Sequence, residues 1–235
     1  MTLQHLNEID LHLLETMNFG NDSLFADGFA LATTCGWIWI LFYVALAYLI
    51  IKNNETTLQI LLAFGAIAIC LLLTDTATEY FIKPAIGRLR PCNDPTIMQQ
   101  VHLAGNHTVR SLSFFCGRAA AMMGVTIFIF LLVRNWLLSL SMLCWTILCG
   151  WAEIAIGLHF PSDILAAYLY GIVIACIIYI IYFYLYLKIS PRLNYISTQY
   201  TKTGYSLTDI NVVICTLLFS VGAAILYGIF LTTHI

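Results

Sequence analysis

Six times along the chain the sequence runs apolar for about 20 residues or more, at about 29–51, 57–82, 112–133, 136–158, 162–187 and 208–231. Each run is long enough to cross the roughly 30 Å of hydrocarbon in a bilayer as a helix. Composition agrees: 61% of the 235 residues are hydrophobic and only 9% are charged, and the mean hydropathy of +0.89 lies outside the range of soluble globular chains. The expected fold is therefore all-α: a polytopic bundle of six transmembrane helices forming a single domain over 1–235. A net charge of −2 and the lack of a basic tail or stripe exclude a nucleic-acid partner. The eight cysteines (Cys35, Cys70, Cys92, Cys116, Cys144, Cys149, Cys176, Cys215) lie mostly inside apolar runs with no C-x-x-C spacing. They read as small apolar residues, not as a disulfide framework or zinc site.

Residues 1–28 precede the first run. Leu3, Leu6, Ile9, Leu13 and Met17 recur there at helical spacing with acids between them, which predicts an amphipathic helix on the membrane surface with a structural role. The pattern is not that of a cleaved signal peptide, so the mature chain is expected to begin at or near Met1. There is no internal repeat. The longer connections are about 83–111 and 188–207, the second an ordinary loop with Pro191; "NHT" at 106–108 matches a glycosylation sequon, a pattern common by chance. Six spans place both termini on one side with 83–111 and 159–161, and Lys52, Arg134, Lys188, Arg192 and Lys202 on the other. If Lys83, Arg88, Arg90 and Arg110 are held by a site, the positive-inside bias puts the termini and that site outside the cytoplasm; counted as loop charges, they nearly cancel it.

Charges within or beside the spans are costly, about 2.5–3.5 kcal/mol each at a helix centre, and so must be paired or functional. Asp75, Glu79 and Lys83 recur every four residues, forming either a polar stripe aimed at the bundle interior or an intrahelical ladder. Lys83, Arg88 and Arg90 are three cations in eight residues and call for an anion. Arg118 and Glu153 sit at similar depths on neighbouring antiparallel spans and are expected to pair. In "LHFPSD", Pro161 suits a first helical turn and Asp163 lies one turn from His159. An imidazole held by a carboxylate, near cations and a helix N-terminus, suits a nucleophile or base acting on phosphate; the alternative is a surface histidine at a helix start. A metal site from His159, Asp163 and Glu153 is conceivable, but the nearby cations oppose it, and no metal or cofactor is expected.

These residues resemble the type 2 phosphatidic acid phosphatase (PAP2) superfamily, which is related to the vanadium haloperoxidases. Lys83 followed after six residues by Arg90-Pro91 looks like its first signature, and "GLHFPSD" looks like the second half of its third. "SFFCGRAA" at 113–120 falls where the second belongs. The resemblance implies a metal-independent membrane lipid phosphatase. Lys83 and Arg90 would hold the phosphate, helped by the second-signature region of Cys116, Gly117 and Arg118. His159 would attack phosphorus to give a phosphohistidine, and Asp163 would orient the imidazole. The substrate implied is a phosphorylated lipid: a polyprenyl diphosphate, phosphatidic acid, phosphatidylglycerol phosphate or a phosphorylated glycolipid. The expected location is the cell (inner) membrane, with the site on the non-cytoplasmic face.

Three positions depart from the pattern. Cys116 replaces a serine, Arg118 replaces the general-acid histidine, and Ala152-Glu153 replaces a Ser-Arg pair. Two readings follow. In one the roles are exchanged, Arg118 supplying the guanidinium and a buried Glu153 the proton. In the other, Arg118 and Glu153 form a closed ion pair in a pocket that binds a phosphorylated lipid or anion without turnover. A lipid or anion transporter is a third reading from another class. Against it stand the short chain and the lack of paired Gly/Pro-broken helices in two halves.

Overall fold

Helix boundaries in the computed structural model, which describes residues 3–19, 23–106, 111–189 and 198–233, follow local capping chemistry. After α1 (Leu3–Leu14) and a π-helical turn (Glu15–Phe19), Ser23 caps α2 (Leu24–Thr34), its Oγ accepting from the Ala26 N–H at 3.4 Å. The first membrane helix thus starts ahead of residue 29. It breaks after Thr34: a 3₁₀ turn (Gly36–Trp39) leads into α3 (Ile40–Lys52), bent 64° from α2. The Trp39 indole N–H closes the break on the Thr33 carbonyl at 2.9 Å, and the Thr33 and Thr34 hydroxyls bond back one turn to Phe29 and Leu31 carbonyls.

Thr56 and Gln59 form a reciprocal capping box on α4 (Thr57–Ala77). That helix continues through a π turn (Thr78–Ile82) into α5 (Lys83–Ile86) and stops at Gly87, whose φ of 66° is left-handed. Then come α6 (Gly117–Val133), α7 (Trp136–Ala155), α8 (Pro161–Ile189) and α9 (Leu207–Thr232). Among the described residues, four helices are long and apolar enough to cross a membrane, and the bent α2–α3 pair makes up to five. The expectation of six spans is met only to that extent, because α6 has 17 residues and is about 26 Å long at 1.5 Å per residue. Residues 112–116, assigned to that span from the sequence, are instead non-helical and carry Ser113 to the site.

Small residues set the packing. A Cβ on Gly171 of α8 would overlap the Ala120 carbonyl of α6, and Gly28 of α2 meets Gly228 of α9 in the same way. The main core lies away from the site, around Trp39, Phe42, Phe128, Met142 and Trp145. At that far end Lys52 pairs with Asp209 at 2.8 Å, joining α3 to α9.

The N-terminal helix turns Asp10 and Leu14 toward the bundle and leaves Ile9 and Leu13 of its apolar stripe on the outside. Ile9 and Leu13 are 38% and 39% exposed, whereas Asp10 is 5% exposed and Leu14 fully buried. A buried acid sets the orientation, because its hydrogen bonds lie against the start of α8. The Leu3 and Leu6 side chains, the sequon's residues 107 and 108, Arg110 and most of the 188–207 loop, with Pro191 and Arg192, lie outside the described residues.

Candidate active site

His159 lies in the turn between α7 and α8, which is tight because Gly157 adopts φ +80° and leaves no room for a side chain against Val101 and His102. The imidazole is buried, with Nδ1 3.4 Å from Ser113 Oγ and 3.7 Å from Asp163 Oδ2. Asp163, in the first turn of α8, is wholly buried. It accepts from the Phe160 N–H at 3.1 Å, from the Ser113 hydroxyl, and from Arg88 Nη1 at 2.8 Å. The Arg88 guanidinium lies 3.8 Å from the centre of the Phe160 ring and also donates to Ser162 Oγ at 2.7 Å and Asp10 Oδ2 at 2.6 Å. Asp10 in turn accepts from the Ser162 N–H and hydroxyl at 2.8 and 2.6 Å, a carboxylate at the N-terminus of α8. The anion called for by Arg88 is therefore a pair of protein carboxylates, and Arg88 supports the histidine from behind.

With Nδ1 turned to Ser113 and Asp163, the opposite edge of the ring faces Cys116 and Glu153. One donor atom from each of Cys116, Glu153 and His159 lies within 4.8 Å of the others. Burial disfavours a charged imidazole here, but the Cys116 sulfur and the Asp163 carboxylate outweigh it, against Arg90, and the His159 pKa is pushed up to about 9.

This edge opens on a cavity of about 1350 Å³. Its polar end carries Lys83, Arg90, Arg118, Glu153 and His159; its apolar walls come from α2, α4, α6 and α9, including Leu31, Leu72, Ala121 and Leu231. Arg90 is buried and held by neutral acceptors: Nε on the Ser111 carbonyl at 3.0 Å, Nη2 on Ser111 Oγ at 2.8 Å and Nη1 on the Leu158 carbonyl at 3.3 Å. Lys83 is buried and bonded to Glu79 one turn back, so ladder and inward stripe coexist. Arg118 Nη1 lies 2.7 Å from Glu153 Oε1 and 3.2 Å from the Thr34 carbonyl at the α2 break. Cys116 and Gly117 start α6 at the cavity edge.

Seven of the eight residues picked out in the sequence thus line one cavity; Asp163 stands behind His159. That position separates Asp163 from Glu153, so the metal set His159, Asp163 and Glu153 is not assembled. Sequence reasoning missed Asp10, Ser111, Ser113 and Ser162. Only Asp10, an acid on a short amphipathic helix, gave any signal.

A family model described as PAP2 superfamily matches residues 36–187. The chain belongs to the PAP2 superfamily. Two curated relatives are both named lipid A 4'-phosphatase. The one from Bacteroides thetaiotaomicron is 28% identical over 228 residues, covering 97% of this chain and 98% of its own. The one from Porphyromonas gingivalis is 23% identical over 182 residues, covering 77% and 76%. No solved structure matches the chain. Within this PAP2 membrane protein, Cys116, Arg118 and Glu153, the positions read from the sequence as departures, all line the cavity.

Proposed function

We propose that this protein is a metal-independent phosphatase that removes a phosphate monoester from a phosphorylated glycolipid of the lipid A type. The observation that carries the reading is the buried His159, backed by Asp163 and turned toward a cavity that also holds Arg90 and Lys83. Similarity over 97% of this chain to a protein named lipid A 4'-phosphatase supports a glycolipid among the phosphorylated lipids. Acyl chains would lie along the walls from α2, α4, α6 and α9, with the headgroup at the polar end.

In the reaction, Arg90 and Lys83 neutralise the phosphate oxygens, and the free ring nitrogen of His159 attacks phosphorus as the bond to the sugar oxygen breaks. Arg118 turns from Glu153 to the equatorial oxygens, and Glu153, protonated from solvent once that pair opens, gives its proton to the sugar oxygen. Water, deprotonated by Glu153, then attacks phosphorus, breaking the P–N bond and releasing phosphate. Asp163 and Ser113 keep the imidazole oriented throughout. Because Lys83, Arg88 and Arg90 are bound internally, they drop out of the loop count, which favours a site on the non-cytoplasmic face of the inner membrane. Phosphate release from lipid A in detergent, with chelator present, tests this: wild type should release phosphate and His159→Ala should lose about 10³-fold or more.

The closed Arg118–Glu153 contact supports a second reading, a pocket that binds the phosphorylated lipid and does not hydrolyse it. Folded wild type that retains the lipid yet releases no phosphate in a single-turnover assay would establish that reading.

A further inference from the structure

We propose that Cys116, Glu153 and His159 form a zinc-type site whose occupation blocks the histidine. One donor atom of each lies within 4.8 Å of the other two, and all three side chains are buried at the edge of the cavity. Zinc ligands in a tetrahedron sit about 2.0–2.3 Å from the ion, so the cluster needs to contract only modestly to close on one. The donor set of a soft sulfur, an imidazole nitrogen and a carboxylate oxygen favours zinc over magnesium or calcium.

Each harder ligand is already held from outside the cluster. Asp163 and Ser113 occupy the Nδ1 side of His159, leaving Nε2 for a metal, which is the carboxylate–histidine arrangement typical of zinc sites. Arg118 grips Glu153 through Oε1. The fourth position opens to the cavity. Of the cations nearby, Lys83 is neutralised by Glu79 and Arg118 by Glu153, while Arg90 retains its charge and weakens the site.

Both departures from the family pattern are required: a serine at 116 would remove the soft ligand, and an arginine at 153 would replace a ligand with a repelling charge. Binding forms Zn–S and Zn–N bonds and releases to solvent the protons that the Cys116 sulfur and Nε2 of His159 carried. The ion takes the Nε2 lone pair, so no attack on phosphorus can follow. That last consequence alone rests on the phosphohistidine reading.

The test uses chelator-stripped full-length protein in detergent, titrated with Zn²⁺ against a chromophoric competitor and with Co²⁺ as a spectroscopic probe. One ion per chain is expected, with a sulfur-to-cobalt charge-transfer band in the near ultraviolet. Cys116→Ser should lose that band and bind Zn²⁺ at least about tenfold more weakly, and Glu153→Gln should also weaken binding. Absence of stoichiometric binding, a Co²⁺ spectrum without a sulfur band, or equal affinity in Cys116→Ser overturns the site; the wild-type spectrum decides even if the variant fails to fold. Phosphate release from lipid A should fall with Zn²⁺ and return with chelator. Binding without inhibition would leave the site standing and sink the histidine reaction.

Discussion

The two sides of the His159 imidazole are built differently. Behind it, Asp163, Arg88 and Asp10 interlock through hydrogen bonds of 2.6 to 3.1 Å with one another and with Ser162 and Phe160. In front, Lys83 has one acid partner, Arg118 is more than half exposed, and Cys116 sits at a bare helix start. Matches to the family signatures occur on both sides, Asp163 behind the ring and Lys83 and Arg90 in front, whereas the positions read from the sequence as departures, Cys116, Arg118 and Glu153, all lie in front. Removing Arg88 would strand the buried Asp10 and Asp163 carboxylates, at a cost of about 3–5 kcal/mol, whereas residues facing an open cavity can change partners with substrate and water. That difference would let Arg118 and Glu153 exchange roles, as the exchange reading proposes, with His159 and Asp163 held in place.

The comparison breaks most sharply at Asp163. Asp163→Asn keeps the shape but loses the charge that orients the ring, and phosphate release should fall about 10⁴-fold, as in other carboxylate–histidine dyads; a loss under tenfold would mean that Ser113 alone positions the imidazole. On the cavity side, Glu153→Gln should cost about 10²–10⁴-fold in kcat, the range for a general acid–base, with little change in KM. An unchanged kcat would assign proton transfer to another group. Further from the ring, Asp10→Asn removes one charge from the network and should cost about 1.5–3 kcal/mol, read as a lower melting temperature in detergent with most activity retained below it. The smallest effect concerns pH. In Glu153→Gln, where the general acid's limb is gone, the residual kcat/KM should rise with pH until about 9, because the attacking imidazole must be neutral and its pKa is pushed up to about 9, instead of levelling near 6.5.

The sequence was legible where length and period carry the signal. Runs of apolar residues locate α4, α7, α8 and α9 to within a few positions, and two signatures locate the cavity's cations and its histidine. It was misleading where a tertiary contact overrides hydropathy. Residues 112–116 are apolar enough to read as membrane helix, yet Ser113 is held by Asp163, and a helix there would withdraw it. Arg88 read only as one of three cations calling for an anion, because its two carboxylates lie 78 and 75 residues away in sequence. The stripe on α1 predicted a helix at the membrane surface and carried no sign that Asp10 is buried with three hydrogen bonds from Arg88 and Ser162.

The N-terminal segment also sets a timetable. Asp10 binds Ser162, and Asn18 donates to the Ala155 carbonyl at 2.7 Å, so partners made first wait 152 and 137 residues for each other. At about 5–20 residues per second of synthesis, that delay is roughly 8–30 s. Throughout it the nascent chain carries no assembled site, and a fusion or cleavage near Asp10 would disarm the protein without touching a single residue that faces the cavity.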